Sequence, residues 1–540
     1  MQHEPDRRTT EKKAWKAHED EEKRPVFGND EQTYETKASV KNGILRLIFV
    51  AVAIIVELVW LVYVVNSLEE KYDLVNIGIR VLATVLALAI FSRFQTSNMK
   101  IPWLMLIMGF PVIGSVLYLL FGLTGSTGKM RRRYEEIDNK LLPELLQDQA
   151  TFEEIERRDS SVANMTRYIY DYAKYPVYQN TDVTFYPDAA EGLEAQKEAL
   201  RGAKNFIFME YHAIEDRESF AAIRSILREK VREGVEVRVF YDDLGSIGFI
   251  NGDFIKRLEA DGIHCRVFNP MLPIVNIFFN NRDHRKITVV DGRVAFTGGY
   301  NLADEYFNVK HPYGHWKDTG VKITGDAVRS FTVMFLEMWN AVRLADSDYS
   351  LYTGLPAPAQ SDGFVQPYAD TPLDDERVGE NVYLNIIKNA KKYVYITTPY
   401  LILDDEMVGE LVLAAKRGVD VRIITPGIPD KKTVFKLTRS YYGQLIRGGV
   451  RIYEYTPGFV HAKQMLCDDV SAVVGTINLD YRSLYLHFEN AVLFRDCPAV
   501  AALRSDFEQT FPLCCEQTAD ISDKRMSMPQ SLLRLFAPLL

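Results

Sequence analysis

Two histidine–lysine pairs are the residues of this 540-residue chain best placed to do chemistry. The first lies in His284-Arg285-Lys286-Ile287-Thr288-Val289-Val290-Asp291, the second in His461-Ala462-Lys463-Gln464-Met465-Leu466-Cys467-Asp468. Both read His-x-Lys-x4-Asp, and each is followed by an asparagine: Asn301 in Gly298-Gly299-Tyr300-Asn301, and Asn478 in Gly475-Thr476-Ile477-Asn478. Residues two apart on a strand point to one face, so each imidazole looks out beside its ammonium, a combination suited to an anion. Asp291 and Asp468 complete the motif and are counted with its catalytic set. Their opposite parity, and the turn signal Asp291-Gly292, nevertheless read as a strand end with a structural role.

One such motif would be weak evidence, and a single histidine is as easily a satisfied core residue. Two, in matching contexts, converge on one anionic centre if the copies meet about a pseudo-twofold axis. A phosphodiester needs a nucleophile, a proton donor for the leaving alkoxide, and cations for the non-bridging oxygens. One neutral histidine would attack phosphorus, giving a phosphohistidine, and the other, as imidazolium, would protonate the leaving oxygen and later deprotonate the incoming alcohol. Lys286, Lys463, Asn301 and Asn478 would bind the phosphoryl oxygens. The nucleophile also needs a carboxylate on its other ring nitrogen.

The surrounding sequence repeats as well. Ala203-Lys204 before Phe206-Ile207-Phe208-Met209 matches Ala390-Lys391 before Tyr393-Val394-Tyr395-Ile396, and Arg232-Glu233-Gly234-Val235 matches Lys416-Arg417-Gly418-Val419. Apolar runs alternating with amphipathic helices indicate α/β architecture, here two tandem α/β domains at 165–346 and 364–515 joined by a linker at 347–363. A linker at 123–164 and a C-terminal tail at 516–540 flank them.

The amino-terminal part differs. Residues 1–43 form a charged, aperiodic tail expected to be disordered. Residues 44–122 carry three apolar segments, Ile44 to Val65, about Val75 to Phe91, and Ile101 to Phe121, and about 20 such residues suffice to span a bilayer. The acidic loop after the first segment and the basic residues Arg93, Lys100, Lys129 and Arg131 to Arg133 place both ends of a first hairpin in the cytoplasm. Pro111, between Gly109 and Gly114, would turn the third segment into a re-entrant element. The expectation is a multi-pass anchor in the cell membrane with cytoplasmic catalytic domains. Three full spans, with those domains outside, is the alternative.

The net charge of −9 argues against a nucleic-acid partner. Five cysteines without a CxxC pair give no closed disulfide framework, and the spacing of zinc sites is absent, so neither metal nor cofactor is expected.

On its two motifs and their Gly and Asn tails, the chain resembles the phospholipase D superfamily over about residues 165–515. On the hydrophobic region ending Pro111-Val112-Ile113-Gly114, on Ile477-Asn478-Leu479-Asp480-Tyr481-Arg482-Ser483, and on the terminal Arg534-Leu535-Phe536-Ala537-Pro538-Leu539-Leu540, it resembles the bacterial cardiolipin synthases within that superfamily. The resemblance implies transfer of a phosphatidyl group between two phosphatidylglycerol molecules, through a phosphatidyl-histidine intermediate, within a membrane of anionic lipids. Hydrolysis to phosphatidic acid is the alternative outcome of the same intermediate, and phosphatidylethanolamine is a possible co-substrate. His284 would be the nucleophile, His461 the acid and base, and Glu489 and Asp318 the orienting carboxylates, with Glu305 competing for the role of Asp318. Gly299 departs from the Ser or Thr common among relatives.

Overall fold

A computed structural model of the chain describes residues 73–93, 96–122, 128–270, 281–346, 348–353, 363–374, 376–518 and 528–539, with isolated positions at 48–67, 359 and 361. The expected polar tail and most of the first apolar segment, Glu57 included, lie outside the described residues.

Each half is built on one mixed sheet, and the two sheets match strand for strand. The first runs Thr181–Tyr186, Gly320–Gly325, Val294–Gly298, Lys286–Val290, Phe206–Tyr211, Glu236–Asp242, His264–Phe268. The second runs Phe364–Asp370, His487–Arg495, Ser471–Gly475, Gln464–Cys467, Tyr393–Thr397, Asp420–Pro426, Arg451–Tyr455, and adds Cys514–Glu516 at its edge. Strand parity decides which core a residue joins. Phe206 and Phe208 face the core shared with the second half, whereas Ile207 and Met209 face a separate core under the first half's own helices. Between the sheets lies the helix Val328–Val342, apolar on nearly every side and buried along almost its whole length, as such a pattern requires.

Short strands also cross between the halves. Arg282 and Asp283, just before His284, pair in parallel with His487 and Phe488, just before Glu489. Phe459 and Val460, just before His461, pair in parallel with Trp316 and Lys317, just before Asp318. The two crossings are equivalent, so each motif histidine is fixed against the opposite half.

Residues 123–164, expected as a linker, are helical where described: Gly128–Leu141, Gln149–Arg158 and Ser160–Tyr168 bury Tyr134, Ile137, Leu141 and Ile155. The expected C-terminal tail likewise holds a helix, Met528–Leu535, seated on the helices Lys432–Arg447 and Ser97–Gly109. Their apolar residues recur at helical spacing, which gives each a face to bury.

The second apolar segment is the helix Asp73–Ser92, and the third is two helices, Ser97–Gly109 and Pro111–Leu117. The break falls at Phe110 (φ −137°, ψ 77°), which leaves the helical region that a following proline disfavours. The chain then doubles back so tightly that a Cβ on Gly114 would lie 2.4 Å from the Leu106 carbonyl oxygen. Among the described residues no helix is long and apolar enough to cross a membrane. These helices nevertheless leave Ile77, Val81, Val85, Leu88, Phe91, Met105 and Met108 exposed.

Candidate active site

The crossing strands set the histidines. The backbone N–H of His284 donates to the Phe488 carbonyl at 2.9 Å, and that of His461 to the Lys317 carbonyl at 2.8 Å. Glu489 and Asp318, the next residues of the partner strands, therefore face the imidazoles. Nδ1 of His284 lies 2.9 Å from both carboxylate oxygens of Glu489, and Nδ1 of His461 lies 2.7 Å from Oδ2 of Asp318. Each histidine is thus oriented by a carboxylate of the other half. A carboxylate on Nδ1 fixes the Nδ1–H tautomer and leaves Nε2 for chemistry.

Asp318 and Glu489 are equivalent by register. Gly298 pairs with Gly320 and Gly475 with Ala491, and each carboxylate stands two residues before that partner. Their support differs. The Thr476 hydroxyl donates to Glu489, while its counterpart Gly299 has no side chain because Asp318 occupies the space: a Cβ there would lie 2.0 Å from Oδ1. Asp318 instead accepts from the backbone N–H of Thr319 at 3.0 Å. Among the described residues no hydrogen bond joins Glu305 to His461; Glu305 is half-buried, and burial, then repulsion from Glu215, lifts its carboxyl to about 7.

The lysines lie deeper. Lys286 and Lys463 are each 1% exposed, and Nζ of Lys286 donates to its own motif's His284 carbonyl at 2.6 Å. Nζ of Lys463 contacts the His461 carbonyl and lies 2.8 Å from its Nδ1. Burial pushes Lys286 down to about 8 and Lys463 to about 7, the latter also through repulsion from Lys286, despite the nearby carboxylates. Burial, then Lys463, lowers His461 to about 3, and burial, then Lys286, holds His284 well below the usual imidazole range. Both imidazoles are neutral at rest in a cluster rich in cations. An entering phosphodiester anion raises all four groups and supplies the charge that lets one histidine become an acid.

Asn301 and Asn478 are both buried. Asn301 accepts from the Ala213 N–H at 3.2 Å and donates to the Tyr306 hydroxyl at 2.9 Å, whereas Oδ1 of Asn478 has no hydrogen-bond partner among the described residues. The Asn478 amide is therefore the freer of the two to turn toward a ligand.

Two motif members are placed elsewhere. Asp291 (φ 53°) accepts from the backbone N–H groups of Lys204, Asn205 and Phe206, and Asp468 (φ 55°) accepts from those of Lys391, Lys392 and Tyr393. Counted with the catalytic set in the sequence, they are joints at the far end of the motif strands, because the opposite parity turns their carboxylates to the neighbouring chain. Glu210 is likewise buried against Arg285, 2.7 Å away.

Two histidines that the sequence reads as structural or exposed, His487 with lining of the lipid entrance as the alternative, stand beside His284. His212 and His487 bring their rings to centroid distances of 5.0 and 5.6 Å from it, whereas His461 is flanked by Tyr306 and Trp316 at 5.2 and 5.3 Å. The only advance signal was that His487 shares strand parity with Glu489.

The family model described as the phospholipase D-like domain of cardiolipin synthase matches residues 197–339 and 383–511. A cardiolipin synthase of Halalkalibacterium halodurans is 34% identical, covering 80% of this chain and 86% of the relative. The chain belongs to the cardiolipin synthase family of the phospholipase D superfamily. A cardiolipin synthase 2 of Bacillus anthracis is 32% identical, covering 85% of this chain and 90% of the relative, and an uncharacterised protein of Streptococcus mutans is 43% identical, covering 82% and 96%. A further family model, phospholipase D-nuclease N-terminal, matches residues 81–122. Phosphatidylserine synthase of Haemophilus influenzae shares the fold, with a TM-score of 0.51 at 17% identity, covering 66% of this chain and 93% of that one. Like its family, this chain is an enzyme of the phospholipase D type.

Proposed function

We propose that the site transfers a phosphatidyl group from one phosphatidylglycerol to another, giving cardiolipin and glycerol. The observation that carries this reading is the crossed pair of imidazole–carboxylate contacts, His284 to Glu489 and His461 to Asp318. In the first step Nε2 of His284 attacks phosphorus, the bond to the glycerol oxygen breaks, and His461 gives that oxygen its proton. In the second, a hydroxyl of another phosphatidylglycerol attacks phosphorus, the P–N bond breaks, and His461 takes the hydroxyl proton. Lys286, Lys463 and Asn478 hold the non-bridging oxygens throughout.

Both reacting histidines are buried, which favours a held alcohol over water as acceptor. The uncovered apolar faces of the amino-terminal helices support seating in a membrane, and the exposed Arg131, Arg132 and Arg133 that follow support a cytoplasmic position beside anionic lipid. Protease added outside sealed vesicles is expected to spare the catalytic halves, and cleavage from the outside alone would reverse the orientation. Purified protein given phosphatidylglycerol is expected to release cardiolipin and glycerol in equal amounts by mass spectrometry. Phosphatidic acid without cardiolipin would replace this reading with hydrolysis.

A further inference from the structure

The last residues of the chain carry more apolar surface than the fold uses. Leu533 and Ala537, four apart on the helix Met528–Leu535 and the turn after it, pack into the main core. Met528, Leu532 and Phe536, also four apart, form a second stripe, and all three are exposed. A short helix with apolar stripes on two sides needs a cover for the second. Its neighbours indicate which. Arg534 sits over the Tyr441 ring at 4.0 Å and so fastens this helix to Lys432–Arg447, which contains no Asp or Glu. There Lys432, Lys436, Arg439 and Arg447 recur at helical spacing on one exposed face. Arg439 pairs with Glu454, whereas Lys432 and Lys436 hold no ion pair among the described residues. In a chain of net charge −9, this is a basic surface beside an apolar one. The helix Ser97–Gly109, which also touches Met528–Leu535, exposes Ile101, Met105 and Met108. The second stripe therefore adjoins the uncovered faces of the amino-terminal helices.

We infer that the C-terminal helix Met528–Leu535 and the helix Lys432–Arg447 form a second membrane contact, which lays the active site against an anionic bilayer surface. This rests on the reading of the site as one that acts on bilayer phospholipid. Met528, Leu532 and Phe536 enter the boundary between headgroups and acyl chains, about 5–10 Å deep, while Lys432 and Lys436 stay among the phosphates. Too short to span the bilayer, the helix lies along its surface. Both elements connect to the reaction centre. Lys431, which precedes Lys432–Arg447, is close enough to His212 for its charge to oppose protonation of that ring, and His212 stands beside His284. Nδ2 of Asn98 donates to the Tyr481 hydroxyl at 2.8 Å, which ties the helix Ser97–Gly109 to the segment three residues beyond Asn478. The turn Ala537–Leu539 packs on both Ser97–Gly109 and Tyr481–Tyr485. The site is thereby held at a fixed height over the lipids from which both substrates come.

The test uses the full chain reconstituted into vesicles, with Cys514→Ser and Cys515→Ser in place and an environment-sensitive fluorophore attached at Leu532→Cys. In phosphatidylglycerol vesicles its emission is expected to shift to the blue and to be quenched by a nitroxide carried near the top of the acyl chains, but little by aqueous iodide. Both effects are expected to shrink in pure phosphatidylcholine. Leu532→Gln with Phe536→Gln is expected to lower turnover of vesicle phosphatidylglycerol at least about tenfold, while turnover of a short-chain, monomeric phosphatidylglycerol stays within about twofold. Leu532→Ser serves as a second variant should the pair fail to fold. A fluorophore open to iodide and out of reach of the lipid quencher would overturn the inference. So would equal signals in the two lipids, or equal loss on both substrates in a variant with an unchanged melting temperature. A shift that grows with protein density and ignores the lipid quencher would assign the stripe to a second copy and overturn it as well. Because the fluorescence is read without turnover, failure of the transfer reaction leaves this outcome distinguishable.

Discussion

Glu489 and Asp291 are both carboxylates tied to the first motif, but they have different work. Glu489 meets an imidazole, whereas Asp291 accepts three backbone N–H groups at the far strand end. Replacing a triad-type orienting carboxylate by its amide costs up to about 10^4 in turnover by selecting the wrong tautomer. Glu489→Gln is therefore expected to lower kcat by about two to four orders of magnitude with an unchanged melting temperature. Asp291→Asn is expected to cost about 1–3 kcal/mol of stability and to leave kcat of the folded enzyme within a few-fold. Steady-state assays paired with thermal melts separate the two, and the reverse pattern would refute the division. The lysines set a pH dependence. In the free site the ammonium forms of Lys463 and Lys286 are lost as pH rises through about 7 and about 8. Because kcat/KM reports the free enzyme, it is expected to fall across that range, while the alkaline limb of kcat lies higher, since bound phosphate favours the ammonium. A kcat/KM profile flat to pH 9 would contradict this. Histidines, lysines and asparagines were legible in the sequence because their spacing repeats. The placement of His212 and His487 beside His284 was not, because they reach it through pairings between strands far apart in the chain.

Among the elements, the crossing strands matter most. No local pattern marks Arg282–Asp283 or Phe459–Val460 as strands that leave their own sheet, since their partners lie in the other half and the pairs are only two or three residues long. The two crossings also explain a departure from the family pattern. Gly299 stands opposite Asp318, and Thr476 opposite the longer Glu489, so a short residue beneath one carboxylate is matched by a hydroxyl beneath the other. Gly299→Thr is expected to displace Asp318 from His461 and lower kcat at least about 100-fold, because a catalytic imidazole then loses the carboxylate that orients it. Retention of full activity would show that Asp318 is not held in this way. Helices at 128–168 escaped notice because their charged faces read as solvated linker, while the apolar stripe that docks them is sparse.

For the molecule as a whole, the duplication was legible in paired segments such as Val235 to Val239 and Val419 to Ile423, and the matching strand order of the two sheets follows from it. What the repeat alone did not reveal is how the copies face each other. That arrangement places each histidine in one half and its carboxylate in the other, so one reaction centre belongs to both. The central claim is that such a centre carries the phosphatidyl group on His284, and it predicts the chemical form of the enzyme during turnover. The most direct measurement is a rapid alkaline quench of the wild-type protein turning over phosphatidylglycerol, followed by peptide mapping of acid-labile phosphate. A phosphatidyl group on His284 is the expected result. Its appearance on His461, or on no histidine while cardiolipin accumulates, would contradict the account.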